Sequence, residues 1–474
     1  MCSFRGSAVR RGTSVVILLG FTAAACLNGS SQVGPAGPQL VLYVDTDAPV
    51  DAGAVGLPAI GQSVALFDRL RFDVSPPDPS TPCTFCVNEF AVTSDSFSSR
   101  SASIGIPLPP RQAGWTVRVR LFPLALALPD GEPNPDTALD VTFALPVLGA
   151  DGVVEATAFL STDGAGQPAG QDTPAALADG PPGTSAVGTW PGGQLTDCNG
   201  QAPAGMVCVP GGAFWMGSSD EDFAPGTTLH WRRLVVLSPF FLDSTEATVK
   251  ATRDLNNQTP IPWSGNSTGS DGSDWCTFTD APGPRDAVAA NCMSKEQARL
   301  LCRSRGGDLP TEAQLEYAMG GLLSQPFVWG TELPGCQDAV WGRIGYGIFT
   351  PFGPKTCLAE AKALGTFLGG PEAPRSGRRD VLRLPGGAIY DLIGNVSEWG
   401  RDSYQLQTEP CWSQPGVLQD PYCGQDSPSL HAMNVVRGGD WQDGGTQLVS
   451  AVRNFQMIDS ASPFVGYRCM AAGE

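Results

Sequence analysis

The sequence predicts a multidomain chain: an all-β sandwich over residues 40–160, followed by an irregular α+β domain over residues 198–474. Three observations carry this reading. At 474 residues the chain is too long for one ordinary domain of roughly 150 residues. Its 58 Gly and 42 Pro, with charged residues at only 16%, favour strands, turns and loops over helical bundles. Its apolar runs alternate at period two in the first half, whereas two well-capped helices stand out in the second. An apolar fraction of 42% is enough to build cores, which excludes wholesale disorder.

The first 26 residues read as a targeting segment. Arg5, Arg10 and Arg11 precede the apolar and small stretch Ser14–Ala25, which is too short to span a bilayer but suits a signal-peptide core. It ends in Ala23-Ala24-Ala25-Cys26, similar to a bacterial lipobox, although such boxes usually carry Leu where this chain has Ala23. The expectation is lipidation at Cys26, attachment to a membrane through that lipid, and residence in the bacterial cell envelope as an outer-membrane lipoprotein. The alternative is ordinary cleavage after Ala25, leaving a free cysteine. Residues 27–39 form a Gly/Ser/Pro tether, and residues 161–197, dominated by Gly, Pro, Ala, Thr and Asp, have the composition of a second linker without a core.

Between these two stretches, Leu40–Val44, Trp115–Leu121 and Val141–Leu145 are short apolar runs separated by Pro, Asp and Gly. Alternation spaced by turn residues predicts the sandwich. Nothing in it suggests catalysis, which leaves a spacer or adhesion-type module. Cys83-Thr-Phe-Cys86 reads as a local disulfide, because a redox motif needs a helix start after a strand and a zinc site needs two more ligands.

Charge narrows the partners. Lys plus Arg total 29 against 47 Asp plus Glu, a net charge of −18, which argues against nucleic acid or an anionic membrane surface and fits hard cations. The two histidines, His230 and His431, restrict any mechanism built on imidazole and read as surface or loop residues. Gly265-Asn-Ser-Thr-Gly269 matches a nucleophile elbow only by chance, since no strand and helix flank it. In the second domain, Ser294 with Gln297 and Thr311 with Gln314 form capping boxes. They open one helix over Lys295–Arg305, stopped by Gly306-Gly307, and another stopped by Gly320-Gly321.

Six segments of this domain follow one another in a recognisable order: Met206–Gly217 (MVCVPGGAFWMG), Ser238–Thr248 (SPFFLDSTEAT), Asp308–Ala318 (DLPTEAQLEYA), Tyr390–Trp399 (YDLIGNVSEW), Val436–Trp441 (VRGGDW) and Val465–Cys469 (VGYRC). Together they resemble the formylglycine-generating enzyme family, the sulfatase-modifying factors. The resemblance implies an irregular, C-type-lectin-like α+β fold. It also implies oxidation of a substrate cysteine by a copper-bound cysteine pair lying between the Arg-Gly-Gly motif and the terminal Gly-x-Arg-Cys. Here that stretch, Asp440 to Tyr467, contains no cysteine, so no copper is expected. Smaller departures are Ser397 and Leu315 where the family usually has Trp, and Asp308 where it has a basic residue.

The resemblance also implies a structural calcium ion held by Asp391, the carbonyls of Gly394 and Val396, and Glu398; hard oxygens converging at a Gly-containing turn suit that ion. The family's other calcium site meets Ala339 where an Asn ligand is expected. One disulfide is implied as well, Cys302 to Cys469. The remaining eight cysteines of the domain fall into local couples, Cys198/Cys208, Cys276/Cys292, Cys336/Cys357 and Cys411/Cys423, with their connectivity left open by spacing alone. The functional expectation is a non-catalytic binding or scaffold module recognising an extracellular or periplasmic ligand. Its rivals are a divergent enzyme of the same family and a purely structural envelope component.

Overall fold

The computed structural model describes residues 37–50, 56–218, 228–229, 232–260, 275–343, 357–365, 370–424 and 433–473. Cys26, His230, His431 and the 265–269 match lie outside the described residues.

The first domain is a sandwich of two four-stranded sheets. In the first sheet, β1 (Gln39–Thr46) pairs antiparallel with β4 (Ser103–Pro107) and parallel with β7 (Val153–Leu160), whose outer edge takes the short β8 (Ala178–Asp179). In the second, β2 (Arg69–Ser75) lies between β3 (Val87–Ala91) and β5 (Thr116–Phe122), with β6 (Leu139–Ala144) beyond, all antiparallel. Alternation works as the sequence predicts: Leu40, Leu42 and Val44 of β1 face Leu70, Phe72 and Val74 of β2 and Val117, Val119 and Leu121 of β5. A single helical turn, α1 (Ser94–Ser98), joins β3 to β4 and buries Phe97.

Residues 161–197 are not the coreless linker that their composition predicts. Thr162 caps onto Asp47 through its amide and hydroxyl, each at 2.7 Å. Residues 169–175 run beside β6, where Thr142 donates to the Ala169 carbonyl at 3.0 Å and Ala175 donates back to Thr142 at 2.9 Å. Trp190 and Leu195 then sink into the sandwich core. Backbone hydrogen bonds to a sheet edge need no apolar side chains, so a Gly/Pro/Ala-rich stretch can be tied down by its main chain with a few buried anchors.

The second domain combines small sheets with short helices. Strands β9 (Met206–Val209), β13 (Phe240–Asp243) and β21 (Met470–Ala472) form one sheet. Strands β10 (Gly212–Met216), β12 (Arg233–Leu237) and β17 (Leu418–Gln419) form another. The largest runs β11 (Thr228–Leu229), β19 (Val452–Met457), β18 (Met433–Arg437), β16 (Ser397–Ser403), β20 (Val465–Gly466), and a hairpin joins β14 (Val381–Leu384) to β15 (Gly387–Tyr390). Helices α2 (Val249–Gln258), α3 (Lys295–Ser304), α4 (Glu312–Met319) and α5 (Leu358–Leu364) fill the gaps. Both capping boxes form, and α3 ends one residue earlier than predicted, before Arg305 and the left-handed Gly306. All eight residues of α4 are buried, Glu312 and Glu316 included.

The two domains share a core. Trp215 of β10 donates its indole N–H to the Leu66 carbonyl at 3.2 Å and meets Phe67 edge-on, with ring centroids 5.7 Å apart. Ala213, Leu234 and Val236 extend the same cluster, so the sandwich is fused to its neighbour rather than spaced from it. Among the described residues no helix is long and apolar enough to cross a membrane.

Candidate functional site

The loop from β15 to β16 turns sharply: Asp391 (φ 50°), Gly394 (φ 82°) and Asn395 (φ 58°) all occupy the left-handed region. At Gly394 only glycine serves, because a Cβ there would lie 2.6 Å from the Val340 carbonyl oxygen. The turn buries Asp391, Gly394, Val396 and Glu398 together. One guanidinium links the two carboxylate residues: Arg468 donates from Nε to Glu398 Oε1 and from Nη2 to the Asp391 carbonyl, each at 2.5 Å. The second Glu398 oxygen, Oε2, is buried without a hydrogen-bond partner.

Two further acids close in. Glu246 accepts from Asn395 Nδ2 at 2.6 Å and from the Val396 amide at 3.2 Å. Asp380 accepts from the amides of Leu392 and Ile393, both at 3.0 Å. Burial pushes all four acids up, Asp391 to about 6 and Glu398 to about 7, and Arg468 opposes the rise in each. Asp391 adds to the rise at Glu246 and Asp380. Four buried carboxyls against Arg468, and Arg375 at Asp391, still leave more acids than bases around an oxygen with no hydrogen-bond partner among the described residues. That donor set fits a hard divalent cation. Motif reading found Asp391 and Glu398 but missed three neighbours. Glu246 and Arg468 sit inside matched segments and so carried a signal; Asp380 lies in none of the six.

The stretch that holds the family's copper cysteines is filled differently. Arg453 grips Glu312 with both ends, at 2.6 and 2.8 Å, while Arg437 pairs with Glu312 at 3.3 Å and with Glu316. Arg437 also donates to the carbonyls of Ser450 (3.1 Å) and Val452 (2.7 Å). After Arg437, the buried Asp440 and the half-buried Asp443 form a carboxyl pair. Burial, then Asp443, raises Asp440 well above the usual range, and burial lifts Asp443 to about 6. Trp441, fully buried, packs edge-on against Trp275 at 5.2 Å.

The departures from the family motifs are accommodated. Asp308 is held by Arg299 at 2.8 and 3.0 Å, and Leu315 and Ser397 are buried. Asp338, beside Ala339, caps the Gly335 amide at 2.7 Å and lies 3.7 Å from Arg379, so it serves a turn. Six disulfides join Cys83–Cys86, Cys198–Cys208, Cys276–Cys292, Cys302–Cys469, Cys336–Cys357 and Cys411–Cys423. The Cys302–Cys469 bridge ties α3 to the connection between β20 and β21 that carries Arg468 into the acid cluster.

At the domain seam lies a cavity of about 480 Å³, walled by Leu66, Phe67 and Leu126 of the sandwich and by Trp215, Leu323 and Val449 of the second domain.

Comparison with known proteins places these features in context. The profile of the sulfatase-modifying factor enzyme 1-like domain matches residues 194–472. The chain is 28% identical to a formylglycine-generating enzyme of Streptomyces coelicolor over 308 residues, covering 56% of this chain and 88% of that protein. It is 26% identical to an inactive Cα-formylglycine-generating enzyme 2 of Mus musculus over 314 residues, covering 57% and 87%. Among solved structures, PvdO from Pseudomonas aeruginosa aligns with a TM-score of 0.40 at 18% identity, covering 56% of this chain and 93% of PvdO.

Proposed function

We propose, for a chain that belongs to the sulfatase-modifying factor enzyme 1-like family, a non-catalytic role as a calcium-stabilised binding or scaffold module on the bacterial cell envelope. One observation carries the reading. The stretch from Asp440 to Tyr467 has no cysteine, and every cysteine among the described residues is bound in a disulfide. Copper(I) needs soft thiolates, and neither the Arg437–Glu312–Arg453 lattice nor the Asp440–Asp443 pair supplies them. The likeness to relatives named as inactive supports the same reading.

Calcium, when bound, supplies positive charge that compensates the buried acids and fixes the loop. Asp391 and Glu398 would hold it with the carbonyls of Gly394 and Val396, while Glu246, Asp380 and Arg468 position the turn. Export is supported by the pairing of all twelve cysteines beyond Cys26, as expected of an oxidising compartment. The lipid anchor rests on the Ala-Ala-Ala-Cys26 boundary.

Two experiments test this. Purified protein, given Cu(I), oxygen and a sulfatase-type cysteine peptide, should yield no aldehyde above background by mass spectrometry; formylglycine in proportion to protein would overturn the non-catalytic role. Cys26→Ser should move the protein from the membrane to the soluble fraction in its native host, and unchanged partitioning would refute the anchor.

A further inference from the structure

We infer that the cavity at the domain seam is a binding site for a neutral amphiphile, a molecule with an apolar aromatic or branched body and one hydrogen-bonding head. Its volume of about 480 Å³ falls in the range of small-molecule sites, which favour domain interfaces. The walls described above are aromatic and aliphatic, and they come from both domains, so the site exists only because the sandwich is fused to its neighbour.

Charge on the ligand is disfavoured by what the cavity's ionisable groups already do. Glu316, at one wall, spends Oε1 on the Gly217 amide at 2.5 Å and Oε2 on Arg437. Asp68 accepts from the Leu124 amide at 2.7 Å. A cationic ligand would therefore shed its water without finding a free carboxylate there, and Arg232, the base among the lining residues, already has an interaction of its own.

The polar head has a place to go. The turn after α4 puts two non-glycine residues, Leu322 (φ 63°) and Ser324 (φ 56°), in the left-handed region. Such strain persists only where the surroundings enforce it, and it often marks a binding site. Its result is to aim Ser324 at the seam, where Oγ accepts from the Trp215 amide at 2.8 Å and keeps its own proton to donate. Next to it, the half-buried Gln325 lines the cavity with a carboxamide that makes no hydrogen bond to the described residues. Ser324 and Gln325 thus offer a donor and a donor–acceptor pair to one small neutral head, such as an amide, aryl amine or hydroxyl.

This inference gives the binding-module reading a ligand class, but its geometry is independent of copper and calcium chemistry. The test uses the intact protein and N-phenyl-1-naphthylamine, a neutral aromatic probe with a single N–H, followed by its fluorescence. Saturable one-site binding is expected. Ala125→Trp and Thr331→Trp, at exposed positions on the rim, should each weaken it roughly tenfold or more with an unchanged circular dichroism spectrum. Gln325→Ala should weaken it by a few-fold, as expected for one lost hydrogen bond. Absence of saturable binding, or equal affinity in wild type and all three variants, overturns the proposal. Appearance of aldehyde in the copper assay, or unchanged partitioning of Cys26→Ser, would leave this titration unchanged, so the two readings fail separately.

Discussion

Two clusters of buried charge meet at neighbouring strands, one around Arg437 of β18 and one around Glu398 of β16, and they are balanced in opposite ways. Glu312 and Glu316 meet Arg437 and Arg453, two acids with two bases. Glu246, Asp380, Asp391 and Glu398 share Arg468, with Arg375 acting besides on Asp391, and among the described residues one Glu398 oxygen has no hydrogen-bond partner. The first cluster is complete as the chain folds. The second is complete only with charge from outside, either a cation or protons. In one domain, then, the same β scaffold carries a self-neutralised lattice and a turn with more buried acids than bases.

The largest effect should come from unbalancing the complete cluster. Arg437→Met leaves Glu316 buried without its base and should cost about 3–5 kcal/mol in denaturant unfolding. A loss below about 1 kcal/mol would show that the lattice is not an obligate part of the core.

Next is the deficient cluster. Calcium at about 100 times its dissociation constant should add roughly 2.7 kcal/mol and raise the melting temperature. Asp391→Ala should abolish that response. A wild-type protein indifferent to chelator would remove calcium from the picture.

The smallest effect concerns the Asp440–Asp443 pair, which resolves its charge by a third route, keeping a proton. Asp443 titrates at about 6 in the fold, above an ordinary unfolded value of about 3.9. A raised acid binds its proton more tightly when folded, so its stabilisation is full below about pH 3.9 and is lost as pH rises through about 6. Asp443→Asn should remove that decline, so the variant gains on wild type between about pH 4 and 7. Parallel stability–pH curves for the two proteins would refute the shared proton.

Local pattern was enough for much of this molecule. The capping boxes at Ser294 and Thr311, the alternating strands β1 and β5, and the Asp391–Glu398 turn are each encoded within a dozen residues. Hydrophobic period, caps and glycine placement act over that range. Other features needed the folded chain. Asp380 joins the acid cluster from outside every motif, through amides of Leu392 and Ile393 that only the hairpin brings near. Residues 161–197 look coreless because composition counts side chains, while their order comes from main-chain bonds to Thr142 and from single anchors at Trp190 and Leu195. The seam was least legible, since Trp215 and Leu66 stand 149 positions apart in the chain. Periodicity tells which residues want burial; which surfaces meet, and whether a buried acid finds its base, is decided by packing across the whole tertiary structure.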